Sequence, residues 1–365
     1  MLDGYADGYF HVNWGWGGVE SYVLMTDVEG RKDYVEDHCA VIGIQPSYLD
    51  SSNRYAVFEN GKKTFYYDNK KSERSGTILR NLDDFPYYIQ SSEYSEKITE
   101  CIIDPSYANV KQRDLSNFFC GWKSLKSIHG IENLNTSKAR NMESMFAICP
   151  NLESLDLSSF KTDNVISMGS MFSGCSSLTK LDISSFNTSN VTNMSSMFEN
   201  CSSLESLNVS SFNTEKVTSM GIMFAGCKSL TSLDVGGFKT GNVTNMQNMF
   251  YECLNLKTIY ASELWDMSNV EDTGEMFWGC SNLVGGTETK YDENHCNGEY
   301  AHVDGGPENP GYFTYKDIPD AIDAISPDLQ TVRIYDLQGK RCDNIRKGLN
   351  IVVLSDGTVK KAVVK

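Results

Sequence analysis

Two sets of residues in this chain have types and spacings that could do chemistry. Residues 7–18, DGYFHVNWGWGG, crowd His11, Asn13, Trp14, a second tryptophan and four glycines into twelve positions. That is the composition of an active-site segment. The second set is sulfur. Of eleven cysteines, Cys149, Cys175, Cys201, Cys227 and Cys253 follow one another at 26 residues, and Cys280 comes 27 residues later. Sulfur in one recurring slot could form a disulfide ladder or a metal stripe, or could pack as small buried hydrophobes. Which of these applies depends on the elements that hold the slot.

Those elements are repeats. MFSGCSSLTKLDISSFNTSNVTNMSS begins at Met171, MFENCSSLESLNVSSFNTEKVTSMGI at Met197 and MFAGCKSLTSLDVGGFKTGNVTNMQN at Met223. Further copies begin at Met145, Met249 and Met276, and a degenerate one near Phe118 puts Trp122 in the cysteine slot. Within a copy, Met194, Met197, Phe198 and Cys201 fall at i, i+3, i+4 and i+7, which predicts a short helix. Leu204, Leu207 and Val209 then read as a half-buried strand. One copy cannot bury its apolar side alone, whereas stacked copies share a core and pair their strands in parallel. The expected fold is α/β: a right-handed solenoid with one short helix and one short parallel strand per 26-residue repeat. The cysteine slot ends the helix, where neighbouring backbones should stand farther apart than in the strands, and this favours free buried thiols over disulfides.

Composition limits the partners. With 48 acidic against 32 basic residues the net charge is −16, which disfavours nucleic acid and anionic membrane surfaces. No apolar run is long enough to span a membrane, and no cofactor is called for. The first thirty residues lack a signal peptide's basic flank and apolar run, which predicts either a cytosolic protein or a missing N-terminus.

The repeat pattern LxxLxLxxFxTxxVxxMxxMFxxCxx resembles the BspA-like leucine-rich repeats of bacterial surface proteins. The resemblance implies adhesion or binding at a cell surface, to an extracellular protein or glycan, with recognition on the strand face. The outward strand position supplies His129, Asp156, Asp182, Asn208, Asp234 and Tyr260 as the candidate binding column; the alternative for this column is a solubilising strip. The sequence specifies no oligomeric state.

The flanks divide the rest. Residues 47–117 are expected to cap the solenoid; they include YAVFENGKKTFYYD, in which Asn60-Gly61 predicts a type I′ hairpin. Residues 118–316 hold the repeats and their closing cap, the latter marked by YAHVDGGPENPGYFTY. Residues 317–365 read as three short strands with a turn at Asp356-Gly357, and IYDLQGKR followed by a lysine-rich finish resembles the C-terminal sorting domains of type IX secretion. That resemblance implies export; the alternative is a small β cap.

Residues 1–46 resemble the C-terminal end of streptopain-family cysteine peptidases, on LDGYADGYFHVNWGWGG, SYVLMTDV and CAVIGIQP. By that resemblance Asn13 would orient the catalytic imidazole and Trp14 would shield their hydrogen bond. The family's histidine falls three residues before Met1 and its cysteine farther upstream. His11 and Cys39 occupy structural strand positions. The chain alone is therefore expected to be inactive, as a fragment of a secreted cysteine endopeptidase or as a relic of one.

Overall fold

The computed structural model of the chain describes residues 2–6, 9–13, 20–23, 53–79, 95–316, 331–335, 341–342, 348–354 and 359–364. At the N-terminus β1 (Leu2–Ala6), β2 (Tyr9–Asn13) and β3 (Glu20–Val23) form an antiparallel sheet in that order. A five-stranded sheet follows, built from β4 (Arg54–Glu59), β5 (Lys62–Tyr67), β6 (Thr77–Leu79), β7 (Glu100–Ile103) and β8 (Ser127–His129) in the order β6-β4-β5-β7-β8. Asn60 and Gly61 join β4 to β5 with φ of 51° and 81°, the pair of left-handed conformations a type I′ turn demands. The hairpin is antiparallel, whereas β5, β7 and β8 run parallel. The hairpin thus covers the edge of β7 that would otherwise be open.

In the repeats the apolar positions are buried as their spacing predicts, but the helix is absent. Met194, Met197, Phe198 and Cys201 are fully buried, yet the segment that carries them is a run of turns. Ser196 and Asn200 have φ of 55° and 54°, and two such left-handed residues, four apart, recur in each copy. A helix would direct every amide to its own carbonyls. Here the amides of Met194, Ser196, Phe198 and Asn200 instead donate to the carbonyls of Ser219, Gly221, Met223 and Ala225 in the next copy, at 2.7–3.1 Å. The intervening amides of Met197, Glu199 and Cys201 close local turns onto Met194, Ser196 and Phe198. Chains of parallel bridges join Asp114, Asn141, Ser167, Asn193, Ser219, Asn245 and Asp272. The densest hydrogen bonding between copies therefore lies along the Met-Phe-Cys segment.

The expected strands are shorter and fewer than one per copy. β9 (Ser232–Asp234), β10 (Thr258–Ala261) and β11 (Phe313–Tyr315) pair in parallel. The equivalent residues 154–156, 180–182 and 206–208 carry no strand. Neighbouring copies still meet there through the amides of Glu153 and Glu205, which donate to Lys126 and Thr179 at 3.3 Å.

Two side-chain columns hold the copies together. Phe119, Phe146, Phe172, Phe198, Phe224, Phe250 and Phe277 stack with centroids 5.1–5.8 Å apart and ring planes within 10°. Each buried phenylalanine contributes roughly 1.5–3 kcal/mol of hydrophobic stabilisation. Thr162, Thr188, Thr214 and Thr240 are buried as well, and each hydroxyl serves one residue of the next copy twice. Thr188 Oγ1 accepts from the amide of Asn213 at 2.8 Å and donates to its carbonyl at 3.0 Å. The Thr162–Asn187, Thr214–Lys239 and Thr240–Asp266 pairs repeat this pattern.

One core runs from Ala56 to Phe313. At its start, Phe65 stacks on Trp122 at 6.2 Å, and buried Lys63 lies 4.5 Å from the same indole. At its end, Tyr312 and Phe313 pack edge-on against Phe277. There the Asp304 carboxylate accepts from the amides of Thr287, Thr289, Gly306 and Gly311 and from the Thr289 hydroxyl. These donors hold its pKa far below the usual carboxylate value despite burial, which acts in the other direction. Beyond this body, β12 (Thr331–Tyr335), β13 (Arg341–Cys342), β14 (Gly348–Leu354) and β15 (Val359–Val364) form an antiparallel sheet ordered β13-β12-β14-β15. It contains the three strands expected of the tail and a two-residue fourth; Asp356 and Gly357 lie outside the described residues. Among the described residues no helix is long and apolar enough to cross a membrane.

Candidate functional site

The outward strand position places one side chain per copy on a single row. His129, Asp156, Asp182, Asn208 and Tyr260 are exposed and Asp234 is half-buried, while their flanking Leu155, Leu181, Leu207, Leu233 and Ile259 turn inward. Register fixes the ends of the row. Tyr260 is the cross-strand partner of Asp234, and Thr314 is the partner of Tyr260. At the other end His129 pairs with Ile102, which pairs with Thr64.

The acidic members also build the backbone beneath them. Asp156, Asp182, Asn208 and Asp234 each accept, through Oδ1, the amide two residues on, at 3.0 Å. These are Asx turns, and they explain why Asp and Asn recur at this position. The Ser158 amide and hydroxyl lower the pKa of Asp156, opposed by the neighbouring Asp182 charge; the Ser184 hydroxyl and amide lower that of Asp182. Asp156 and Asp182 therefore keep their negative charge into mild acid.

Two stations of the row are already engaged. Lys316, one residue past β11, places its Nζ on the Asp234 carboxylate and 5.9 Å from the Tyr260 ring centroid. Sequence reasoning missed Lys316, because 82 residues separate it from Asp234 and no motif links them. Ser127 Oγ lies 3.2 Å from Nε2 of His129.

At its other end the row enters a cleft of about 370 Å³ lined by Glu59, Lys62, Thr64, Tyr66, Glu73 and Arg74, with Val57, Asn60 and Ser75. Its cations are paired: Lys62 with Glu100 at 2.8 Å, and Arg74 with Asp68 at 2.8 Å. Arg74 also covers the Tyr66 ring at 4.0 Å, and the Tyr55 ring stacks with it at 5.4 Å. Among the described residues Glu59 accepts the Ser75 hydroxyl at 3.3 Å, so the cleft presents carboxylates and hydroxyls beside its paired cations.

The cysteine column is built for packing. Cys149, Cys175, Cys201, Cys227, Cys253 and Cys280 are buried free thiols. Each donates to a phenylalanine carbonyl of the preceding copy at 3.0–3.2 Å; Cys201 Sγ, for example, reaches Phe172. The backbone just before the thiol is bonded between copies, as in the Asn200 amide to the Ala225 carbonyl at 2.7 Å, where the copies were expected to stand farther apart. What sets the thiol's role is its aim at a carbonyl that needs a second donor. Burial drives these thiol pKa values upward, to about 12 for Cys201 and Cys280, which makes them poor nucleophiles. Among the described residues no group of His, Cys, Asp and Glu could hold a metal ion.

Of the N-terminal candidates, Asn13 is the last residue of β2 and pairs with Glu20 of β3. His11, also on β2, pairs with Gly4 of β1 and Tyr22 of β3. Trp14 and Cys39 lie outside the described residues.

No curated protein and no solved structure matches the chain. Residues 113–208 and 180–289, the stretch that carries the stacked copies, match the family model described as Mycoplasma protein of unknown function, DUF285.

Proposed function

We propose that the chain is a secreted or cell-surface binding module, in which a right-handed leucine-rich-repeat solenoid of the BspA-like kind recognises an extracellular protein or glycan. The observation that carries this reading is the outward row: His129, Asp156, Asp182 and Asn208 stand exposed at equivalent positions. Their backbone is pinned by Asx turns and by bonds between copies. A rigid platform of this kind can bind without paying to order itself. The sorting-like tail is consistent with export.

The test is an array of extracellular matrix proteins and glycans, probed with the chain and with an Asp156→Asn/Asp182→Asn variant. The amide keeps the Oδ1 acceptor of each turn, so the fold should persist while binding to the hit weakens. Equal binding by both forms would dispose of the row as the recognition surface. The second reading, the C-terminal part of a secreted streptopain-like cysteine peptidase whose repeats target it to substrate, rests on the NWGWGG segment that begins at Asn13, the last residue of β2. It would be supported by an in-frame histidine codon three positions before that of Met1 with a cysteine codon farther upstream, and removed by a stop codon there.

A further inference from the structure

The row already has one occupant, and it shows what the other stations accept. Lys316 is the chain's own cation, delivered by the strand that ends the array. Its ammonium sits on one carboxylate of the row and within cation–π range of the row's terminal aromatic ring. The free stations repeat that chemistry: Asp156 and Asp182 offer exposed carboxylates on neighbouring copies, close enough that Asp156 feels the Asp182 charge. Where the row enters the cleft, Lys62 and Arg74 are neutralised by Glu100 and Asp68, and the lining carboxylates are Glu59 and Glu73. The strand spacing of about 4.8 Å sets the stations apart by no more than a lysine side chain can reach.

We propose that the outward face, from the Glu59–Glu73 cleft along Asp156 and Asp182 to Asp234, is a docking surface for a lysine-bearing extended polypeptide segment, and that Lys316 holds the last station in place of a partner lysine. This rests on the reading of the row as the recognition surface and names the chemistry of its partner. Charge complementarity chooses a basic peptide over a neutral glycan: the hydroxyls of a glycan cannot compensate the neighbouring Asp156 and Asp182 carboxylates, both exposed on the row.

The experiment measures binding of fluorescein-labelled heptalysine by anisotropy at low and moderate salt, with heptaglutamine as the neutral control. The full chain should bind heptalysine and not heptaglutamine, and binding should weaken as salt rises. Asp156→Asn/Asp182→Asn should weaken it by about threefold per station, in the range of exposed ion pairs. Lys316→Gln should tighten it, because Asp234 and Tyr260 become available; a merely structural Lys316 predicts no tightening. Glu271→Gln/Glu308→Gln removes the same charge away from the row and should change little. If the off-row variant weakens heptalysine binding as much as the row variant does, or if Lys316→Gln fails to tighten it, the proposal is overturned. Should array binding depend on the row while heptalysine ignores it, the cationic partner is wrong and the row survives; should neither depend on the row, both readings fall.

Discussion

The thiol column should make this fold fail in mild alkali. The Cys201 and Cys280 thiols lie at about 12 against an ordinary value of 9.0, and burial raises Cys149, Cys175, Cys227 and Cys253 well above that value too. A group whose folded pKa is raised contributes stability that is complete below the unfolded pKa, near 9, and is lost as pH climbs toward the folded one. Each thiol then costs about 1.4 kcal/mol per pH unit, so six cost roughly 8 kcal/mol per unit. Lys63 acts oppositely: burial lowers its amine to about 8, so it regains stability between 8 and its ordinary 10.5. It is one group, at about 1.4 kcal/mol per unit, against the six of the column and against Cys101 and Cys120, which burial also raises. Tyr107 and Tyr312, raised to about 12, add to the loss only higher up. With a total stability of about 5–15 kcal/mol, unfolding is expected at about pH 10 to 11. Circular dichroism and thiolate ultraviolet absorbance, followed together in a pH titration, should change in one cooperative step. A Cys175→Ala/Cys201→Ala/Cys227→Ala variant should cut the pH slope of its denaturant midpoint by roughly 40%, since Cys101 and Cys120, also raised by burial, remain with the other thiols of the column. Thiolate absorbance rising gradually from about pH 9 with unchanged dichroism would refute the reasoning.

Two further outcomes follow from buried polar groups. Thr188→Val keeps the volume but leaves the Asn213 amide and carbonyl without their partner; it should cost about 1–3 kcal/mol in urea unfolding, and Thr188→Ser should recover most of that, whereas equal stability of the valine form would deny the threonine column its role. Asp304→Asn should destabilise the closing segment at neutral pH and flatten the acid limb of a stability-against-pH curve, because a carboxylate held far below its ordinary value contributes above about pH 4 and loses that contribution as pH falls; an acid limb identical to wild type would show that the charge is not what the five donors serve.

The sequence by itself determined which side chains go inward. The recurrence of Met, Phe, Cys and Leu identified the core of every copy, and Asn60-Gly61 identified its own turn, because only left-handed backbone closes a two-residue hairpin there. The outward row was also legible, as the one polar position between two apolar ones. Tertiary structure decided what the backbone does at the inward positions. A spacing of i, i+3, i+4 and i+7 says which side chains share a side and is silent on which carbonyl each amide uses. A lone segment would satisfy its amides as a helix; a stacked copy can give every second one to its neighbour and become a run of turns, and only the neighbour's position makes that choice. The same holds for the cysteines: the sequence favoured free buried thiols over a disulfide ladder or metal stripe, and only the stacked copies show each thiol donating to the Phe172 carbonyl or its equivalent. It holds again for Lys316, which meets Asp234 and Tyr260 only because β11 joins β10 in register.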